Sequence, residues 1–334
     1  MYCTTTHSRK ASKSSILSKI LFVFVFLILF TPIVSGKEVH DPISITSDED
    51  FITLGFPGSG TKSDPYRIEN IRIEAASDGE ICIDVRDTTA YFEIRSCELV
   101  SSYLGISIRD TAPGTVLIES NVIKGTEGDG GGISLGADGI LVINNMCTNF
   151  VEGLHTNYAD DCIIVYNNLS SNRYHGVSLR YSSHNLVAHN LIKGNEGYGV
   201  LIIRSSYYNN VYNNTFIDNS MLSTYDWDDI YSFNVVSQGR DERSSNNWYD
   251  EVLRIGNKWS DYSGEGEYLI DGEGGAVDQY PSMIVDVKTD GSSEDSQEGI
   301  NGIPGFSVEV LALGVLIYGL EKGRKNIIRN QFKG

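Results

Sequence analysis

Four residues that could transfer protons lie beside a repeated glycine. Glu152, His175 and Tyr198 each directly precede a glycine and follow one another at intervals of 23 residues, while His155 lies three positions after Glu152. If each interval is one structural repeat, a carboxylate, two imidazoles and a phenol share a column and could perform general acid–base catalysis. The competing interpretation is a solvated surface of mixed polar residues. It is favoured because the paired aspartates typical of sugar-processing enzymes are not evident.

A second group of residues has side chains suited to binding sugars. Tyr174, Tyr181 and Tyr207 fall in one tyrosine-rich stretch together with Arg180 and Arg204. Aromatic rings pack against the apolar faces of sugars, and guanidinium groups donate hydrogen bonds to hydroxyls. These five residues are the predicted ligand-binding set. Tyrosine also suits exposed strand positions, so a purely structural role is the alternative.

Acidic clusters offer oxygen ligands for calcium. One is Asp226 with Asp228 and Asp229, and another is the loop from Asp261 to Asp278. Neither has the ligand spacing of an EF-hand, so calcium is only a possible cofactor and no other is predicted. The five cysteines include no Cys-x-x-Cys pair, which argues against zinc.

An internal repeat must position all of these groups. One anchor is a glycine before alternating apolar residues, and the other is an asparagine after a β-rich run. The glycines are Gly105, Gly132, Gly153, Gly176 and Gly199, and the asparagines are Asn121, Asn145, Asn168, Asn190 and Asn214. Units of roughly 23 residues with several short strands cannot bury their apolar faces alone, so they must stack. The sequence therefore predicts an all-β, single-stranded, right-handed parallel β-helix of about six coils with covers at both ends.

The asparagine column predicts a structural ladder. Asparagine tolerates the left-handed backbone of a sharp corner, and stacked amides can donate to one another. Asn168 and Asn213 also begin glycosylation sequons. Since Asn168 is assigned to the inward ladder, Asn213 is the better predicted glycosylation site. Cys97 takes the same column one coil earlier and should point inward, whereas Cys82 should point outward, so a disulfide between them is not expected.

Both ends of the chain indicate export. A basic leader, an apolar run and the small residues Val34-Ser35-Gly36 resemble a secretory signal, although an uncleaved anchor is the alternative. The predicted organisation is a signal peptide at 1–36, an N-terminal cap at 37–75, coils at 76–245, a C-terminal cap at 246–285, an acidic linker at 286–302, an apolar membrane or sorting segment at 303–320, and a basic cytoplasmic tail at 321–334. A C-terminal helix docked on the protein is the alternative for 303–320.

The charge of the predicted exterior part excludes one class of partner. Residues 37–320 contain 17 basic and 43 acidic side chains, a net charge of −26. Such a surface repels nucleic acid and favours cations or cationic partners. Acidity that only keeps an exposed protein soluble is the simpler explanation.

The coil pattern resembles the NosD-like family, also described as carbohydrate-binding and sugar-hydrolase β-helices. The entry segment Gly55-Phe56-Pro57-Gly58-Ser59-Gly60-Thr61 and the exit segment Gly256-Asn257-Lys258-Trp259-Ser260-Asp261-Tyr262 resemble those of archaeal surface members, and Ile303-Pro304-Gly305-Phe306 is similar to an archaeal sorting signal. The resemblance spans about 41–320 and implies a membrane-anchored cell-surface protein. The copper role associated with NosD is not carried over, because four methionines and six histidines form no cluster suited to copper.

Three functions remain open on the sequence alone. The favoured one is non-catalytic binding of carbohydrate or cell-envelope polymer. The first alternative is a polysaccharide lyase, glycosidase or epimerase, and the second is a structural or adhesive rod. A fold of this kind hosts many activities, so the arrangement of the side chains must decide between them.

Overall fold

The computed structural model describes residues 37–75, 77–126, 129–220, 224–227, 231–234 and 237–284. This part of the chain contains one short helix, α1 (Asp48–Thr53), and otherwise strands. The strands in chain order are β1 (Glu38–His40), β2 (Ile43–Ile45), β3 (Tyr66–Glu69), β4 (Ile71–Ala75), β5 (Ile81–Thr88), β6 (Phe92–Arg95), β7 (Glu98–Ser101), β8 (Leu104–Thr111), β9 (Val116–Glu119), β10 (Val122–Gly125), β11 (Gly131–Gly136), β12 (Leu141–Ile143), β13 (Met146–Thr148), β14 (Glu152–Asn157), β15 (Ile163–Val165), β16 (Asn168–Ser170), β17 (His175–Arg180), β18 (Leu186–Ala188), β19 (Leu191–Lys193), β20 (Val200–Ile203), β21 (Asn210–Tyr212), β22 (Thr215–Ile217), β23 (Thr224–Trp227), β24 (Tyr231–Asn234), β25 (Gly239–Asp241), β26 (Lys258–Trp259), β27 (Tyr268–Leu269), β28 (Val277–Asp278) and β29 (Ser282–Met283).

Most strands belong to three parallel sheets wound as a right-handed solenoid of about eight turns. Sheet 1 contains, in spatial order, β2, β5, β8, β11, β14, β17, β20 and β25. Sheet 2 contains β3, β6, β9, β12, β15, β18 and β21, and sheet 3 contains β1, β4, β7, β10, β13, β16, β19, β22, β26 and β29. The predicted parallel β-helix is confirmed. The predicted number of about six coils was too low, because coils were counted from the repeated asparagine. The first turn has no ladder asparagine, and the ladder asparagine of the last turn follows at a longer interval than the others.

The interior is built from aligned apolar columns. In sheet 1 one column comprises Ile83, Ile106, Ile133, Leu154, Val177 and Val200, all buried and paired in register. The repeated glycines lie directly before this column, where the backbone bends toward the core. A Cβ on Gly105 would lie 2.6 Å from the carbonyl oxygen of Gly132 and would also clash with Ile123. Glycine is therefore required by packing at this bend.

The orientation predicted for Cys82 was wrong. Cys82 aligns with Gly105 at the bend, is buried, and has its Sγ 3.3 Å from the carbonyl oxygen of Val100. The bend interrupts the alternation of side chains along β5, so counting from Ile81 gives the wrong face. The four described cysteines are all buried free thiols.

Aromatic side chains cover the core at each end. Near the N-terminal end, Phe51 of α1 stacks on Tyr66 with ring centroids 4.7 Å apart. Near the C-terminal end, Trp259 lies between Phe216 and Tyr268, with centroid distances of 4.1 and 4.0 Å. These rings close the ends of the apolar columns. In the described residues, no helix is long and apolar enough to cross a membrane.

An asparagine ladder runs along the corner between sheets 2 and 3. Its members are Asn121, Asn145, Asn167, Asn190, Asn214 and Asn257, and each side-chain amide donates to Oδ1 of the next. The ladder position assigned to Asn168 was wrong, because Asn167 occupies it and Asn168 begins β16. The left-handed backbone was also assigned to the wrong residue. It belongs to the residue before each of the first five members, as at Tyr166 with φ 58°.

This correction removes the reason for excluding glycosylation at Asn168. Its side chain is half-buried and outside the ladder, and so is that of Asn213. Asn213 Nδ2 lies 3.1 Å from Nδ1 of His189. Glycosylation at Asn213 stays a prediction.

Two further ladders were missed by the sequence analysis. One comprises Asn172, Asn195, Asn219 and Gln238, and the other comprises Asn185, Asn209 and Asn246. Each of the three ladders ends at an aspartate: Asn257 donates to Asp278, Gln238 to Asp261, and Asn246 to Asp241. The intervals of 23 and 24 residues between their earlier members were visible in the sequence but were hidden among other asparagines, and the last intervals, to Gln238 and Asn246, are 19 and 37 residues.

Candidate functional site

The predicted proton-transfer column exists in sheet 1. Glu152 pairs in register with His175, and Tyr198 follows on the next turn, where its backbone N–H donates to His175 Nδ1 at 3.0 Å. The Glu152 carboxylate is held by both Nη atoms of Arg180, at 2.8 and 2.6 Å. His155 Nδ1 lies 3.6 Å from the same carboxylate. The structure therefore brings together all four predicted residues, with Arg180 as an additional partner.

The protonation of this cluster is set mainly by burial. Burial lowers the pKa of His175 to about 4, even though the Glu152 carboxylate opposes the shift. Burial also lowers the pKa of His155 against the effect of Glu152. Burial alone would raise the pKa of Glu152, but the Arg180 guanidinium holds that pKa below its usual range. The cluster at neutral pH is thus a carboxylate–guanidinium pair beside two neutral imidazoles.

Two members of the column are enclosed by protein. His175 is fully buried, and Tyr198 is buried with its hydroxyl donating to Asp271 at 3.3 Å. Burial and the Asp271 carboxylate raise the pKa of Tyr198 to about 12. Tyr198 packs with Leu201 and Ile203 in an apolar cluster on the outer side of sheet 1. The His155 side chain, 21% exposed, is the member that a polymer could reach.

Exposed aromatic side chains gather at the corner that follows sheet 1. We name this group the aromatic corner; it comprises Tyr158, Tyr181, His184, Tyr207 and Tyr208. The rings of Tyr158 and Tyr181 are parallel with centroids 4.7 Å apart, and His184 stacks on Tyr208 at 5.3 Å. The Arg243 guanidinium carbon lies 5.9 Å from the centre of the Tyr207 ring. The corner thus presents adjacent stacks on successive turns.

Tyr158 has the most open ring of this corner. Its side chain is 66% exposed, whereas that of Tyr181 is 39% exposed. Tyr181 covers one face of Tyr158. On the other side, the preceding turn carries Gly136, which has no side chain, and Ala137, which has only a methyl group. The 66% exposure of Tyr158 therefore leaves most of the ring surface that Tyr181 does not cover open to solvent.

The predicted ligand-binding residues separate into three settings. Tyr181 and Tyr207 belong to the aromatic corner, and Arg204 is exposed on the turn after Tyr181. Tyr174 lies at the opposite end of β17, next to the ring of His175. Arg180 is engaged by Glu152. The sequence analysis missed Tyr158. The exposure of this side chain depends on the preceding turn, whose loop after sheet 1 is one residue shorter than the loop that carries Tyr158.

The predicted calcium ligands are not assembled in the described structure. Asp228 and Asp229 lie outside the described residues, as does the side chain of Asp226. Asp261 accepts hydrogen bonds from Gln238 and Tyr268. Asp278 is buried and accepts from Trp259 Nε1 at 3.0 Å. Across the residues described above, no group of three or more His, Cys, Asp or Glu side chains could hold a metal ion.

The fold and repeat define a right-handed parallel β-helix. Residues 43–264 match the family model described as "Periplasmic copper-binding protein (NosD)", and the chain belongs to this family. The described side chains do not fit a copper centre, since the four thiols are buried and apart from any His, Asp or Glu cluster. Among curated proteins, none matches this chain.

Several solved structures share the fold at low similarity. The A-module of the mannuronan C-5 epimerase AlgE6 from Azotobacter vinelandii has 14% identity and a TM-score of 0.42, covering 66% of this chain and 60% of that one. The DFA-IIIase of Arthrobacter chlorophenolicus without its lid has 16% identity and a TM-score of 0.35, covering 53% and 47%. The catalytic domain of a GH87 alpha-1,3-glucanase with nigerose has 14% identity and a TM-score of 0.37, covering 70% and 48%. This chain thus spans less than two thirds of these proteins, and their activities do not transfer to it.

Proposed function

We propose that this protein is an exported β-helix that binds a carbohydrate polymer at the aromatic corner without cleaving it. The observation that carries the proposal is the open ring face of Tyr158, backed by the parallel ring of Tyr181. A sugar ring presents an apolar face of C–H groups, and it can stack on such an aromatic surface. The ring pair is held by the turns of the rod, so little ordering is needed on binding.

Polar groups next to the open ring could engage sugar hydroxyls. Asn157 is exposed directly before Tyr158, and Asp161 is exposed on the same turn. Arg204 lies two turns further along the corner. Because the corner repeats along the rod, a chain of sugars could contact more than one turn. This arrangement supports a polymer rather than a single small sugar as the ligand.

The setting of the proton-transfer cluster supports binding rather than catalysis. Glu152 is fully engaged by Arg180, and His175 is a buried neutral imidazole. A general acid or base must come within hydrogen-bond reach of the substrate, and neither group does so as it stands. Their contacts suggest a structural role inside sheet 1.

One observation favours the polysaccharide-processing alternative. The partly exposed imidazole of His155 adjoins Glu152 on the outer side of sheet 1. If this pair were catalytic, the protein would degrade or modify a polysaccharide and His155→Ala would abolish the reaction. Equal turnover by the wild type, His155→Ala and His175→Ala would exclude the cluster from catalysis.

The binding proposal is tested by titrating the protein with a panel of soluble polysaccharides. Tyr158→Ala should weaken binding about tenfold, which corresponds to the loss of about 1.4 kcal/mol of stacking and burial. Tyr174→Ala is the matched control, since this tyrosine is 38% exposed but lies at the other end of β17. Equal affinities of Tyr158→Ala and the wild type would contradict the site. Binding of no polysaccharide would favour a structural or adhesive rod.

Export is part of the same proposal. The leader at 1–36 and membership of a family described as periplasmic both support it. Anchoring through 303–320 stays a prediction, because that segment lies outside the described residues. Calcium likewise stays a possibility, which an unchanged melting temperature in the presence of a chelator would argue against.

A further inference from the structure

The outer side of sheet 2 changes from charged to apolar along the rod. Its outward residues on the first turns are Arg67, Glu69, Glu93, Arg95 and Glu119. Arg95 pairs with Glu69 at 2.7 Å and with Glu93 at 3.3 Å. From β9 to β21 the outward residues other than Glu119 and Asn210 form what we name the apolar face: Leu117, Leu141, Ile143, Ile163, Val165, Leu186, Ala188 and Tyr212.

The apolar face forms a cluster separate from the interior of the rod. Ile143, Val165, Leu186 and Ala188 are buried although they point away from the core. A cavity of about 200 Å³ adjoins the N-terminal part of this face, and Leu141 is among its lining residues. The face stays partly open at Leu117, Leu141 and Ile163, which are only partly buried, and open apolar surface of this kind marks a site of interaction.

We propose that the apolar segment 303–320 of the same chain packs on the apolar face. Its 18 residues would extend about 27 Å as a helix, at a rise of about 1.5 Å per residue. Four strand spacings separate β9 from β21, which gives the face a length of about 19 Å. One further spacing reaches Glu93, at about 24 Å. The lengths of the segment and the face therefore match.

The course of the chain allows this contact. The last strand, β29, lies in the final turn of sheet 3, near the end of the rod where the apolar face begins. The acidic stretch 286–302 can span up to about 55 Å when extended, which is ample to pass from sheet 3 to sheet 2. The other apolar segment, at 20–33, is a poorer candidate. The strands that follow it, β1 and β2, lie at the start of sheets 3 and 1, at the end of the rod where sheet 2 is charged.

The charged residues next to the segment also favour 303–320 as the occupant of the apolar face, provided that the segment runs in one particular direction. Lys322, Arg324 and Lys325 directly follow the apolar segment. A segment entering at Tyr212 and leaving near Leu117 brings these cations to Glu93 and Glu119. Burial and the nearby Glu93 raise the pKa of Glu119. Arg95 lowers this pKa, but by less than burial and Glu93 raise it. A basic tail would supply the missing positive charge.

The contact is tested by disulfide trapping in the full chain. Ile163→Cys is combined in turn with Leu313→Cys, Gly314→Cys, Val315→Cys and Leu316→Cys, which cover one helical turn. Cys3→Ser removes the leader thiol, and the four described native thiols are buried. Lys193→Cys, exposed on the outer side of sheet 3, replaces Ile163→Cys in the control series. After mild oxidation in intact cells, mass spectrometry measures the linked peptides.

Docking predicts that at least one Ile163→Cys pair links within a single chain, at least ten times more than its Lys193→Cys counterpart. Linkage no greater than in the control overturns the proposal and favours a membrane anchor. Linkage only between chains also overturns it and indicates a second copy as the occupant. Leu186→Cys, on the next strand of the same face, replaces Ile163→Cys if that variant fails to fold.

Discussion

The asparagine ladder can be tested with two neighbouring residues of the same type. The Asn167 side chain accepts from the backbone N–H and side-chain amide of Asn145, and it donates to Val142, Val165 and Asn190. In the described residues, the buried Oδ1 of Asn168 has no hydrogen-bond partner. Asn167→Ala and Asn168→Ala therefore delete the same atoms from very different settings.

The expected cost follows from the bonds that are lost. Asn167→Ala removes five hydrogen bonds and leaves the buried Asn145 N–H unpaired, so the free energy of unfolding should fall by roughly 3–5 kcal/mol at about 1 kcal/mol per bond. For a protein of this size the melting temperature should fall on the order of 10 °C. Asn168→Ala should cost less than about 1 kcal/mol.

Urea unfolding followed by circular dichroism measures both variants against the wild type. Similar losses for the two variants would refute the assignment of Asn167 to the ladder. A loss below about 1 kcal/mol for Asn167→Ala would refute the idea that the ladder contributes to stability.

Two further predictions concern buried titratable groups. The unfolded chain protonates His175 below about pH 6.5 while the folded protein resists until about pH 4, so unfolding free energy should fall by about 3 kcal/mol as pH drops through this window. His175→Gln should show a shallower decline in pH-dependent urea unfolding, and an identical slope would refute the shift. Burial raises the pKa of Cys82 to about 11 and of Cys162 to about 12, so in a Cys3→Ser variant the four described thiols should not react with a chromogenic disulfide until urea unfolds the protein. Rapid reaction of the folded protein would contradict their burial.

The fold could be predicted because its signals repeat. Glycine recurs at the bend of sheet 1 in five turns and an amide recurs at the corner between sheets 2 and 3 in six, so the same residue types return along most of the rod. The choice between Asn167 and Asn168 failed because both are asparagines and the interval between turns varies by one or two residues. The bend at Cys82 failed for a related reason, since side-chain alternation does not continue through it.

The candidate site could be predicted only in part. Register placed Glu152, His175 and Tyr198 in one column, as expected from their equal intervals. Their burial could not be predicted, because it depends on how Arg180 and the outer apolar cluster pack around them. The exposure of Tyr158 likewise depends on the size of its neighbours in the preceding turn.

The three ladders donate hydrogen bonds in the same direction along the rod, and each ends at an aspartate. Every ladder amide donates toward the C-terminal end, so each ladder behaves as a line of aligned dipoles whose positive end meets a carboxylate. An ionised carboxylate accepts hydrogen bonds but has none to donate. Asp241, Asp261 and Asp278 therefore act like end groups of a polymer. An asparagine in their place would carry an amide N–H able to donate to a further turn, whereas a carboxylate offers only acceptors.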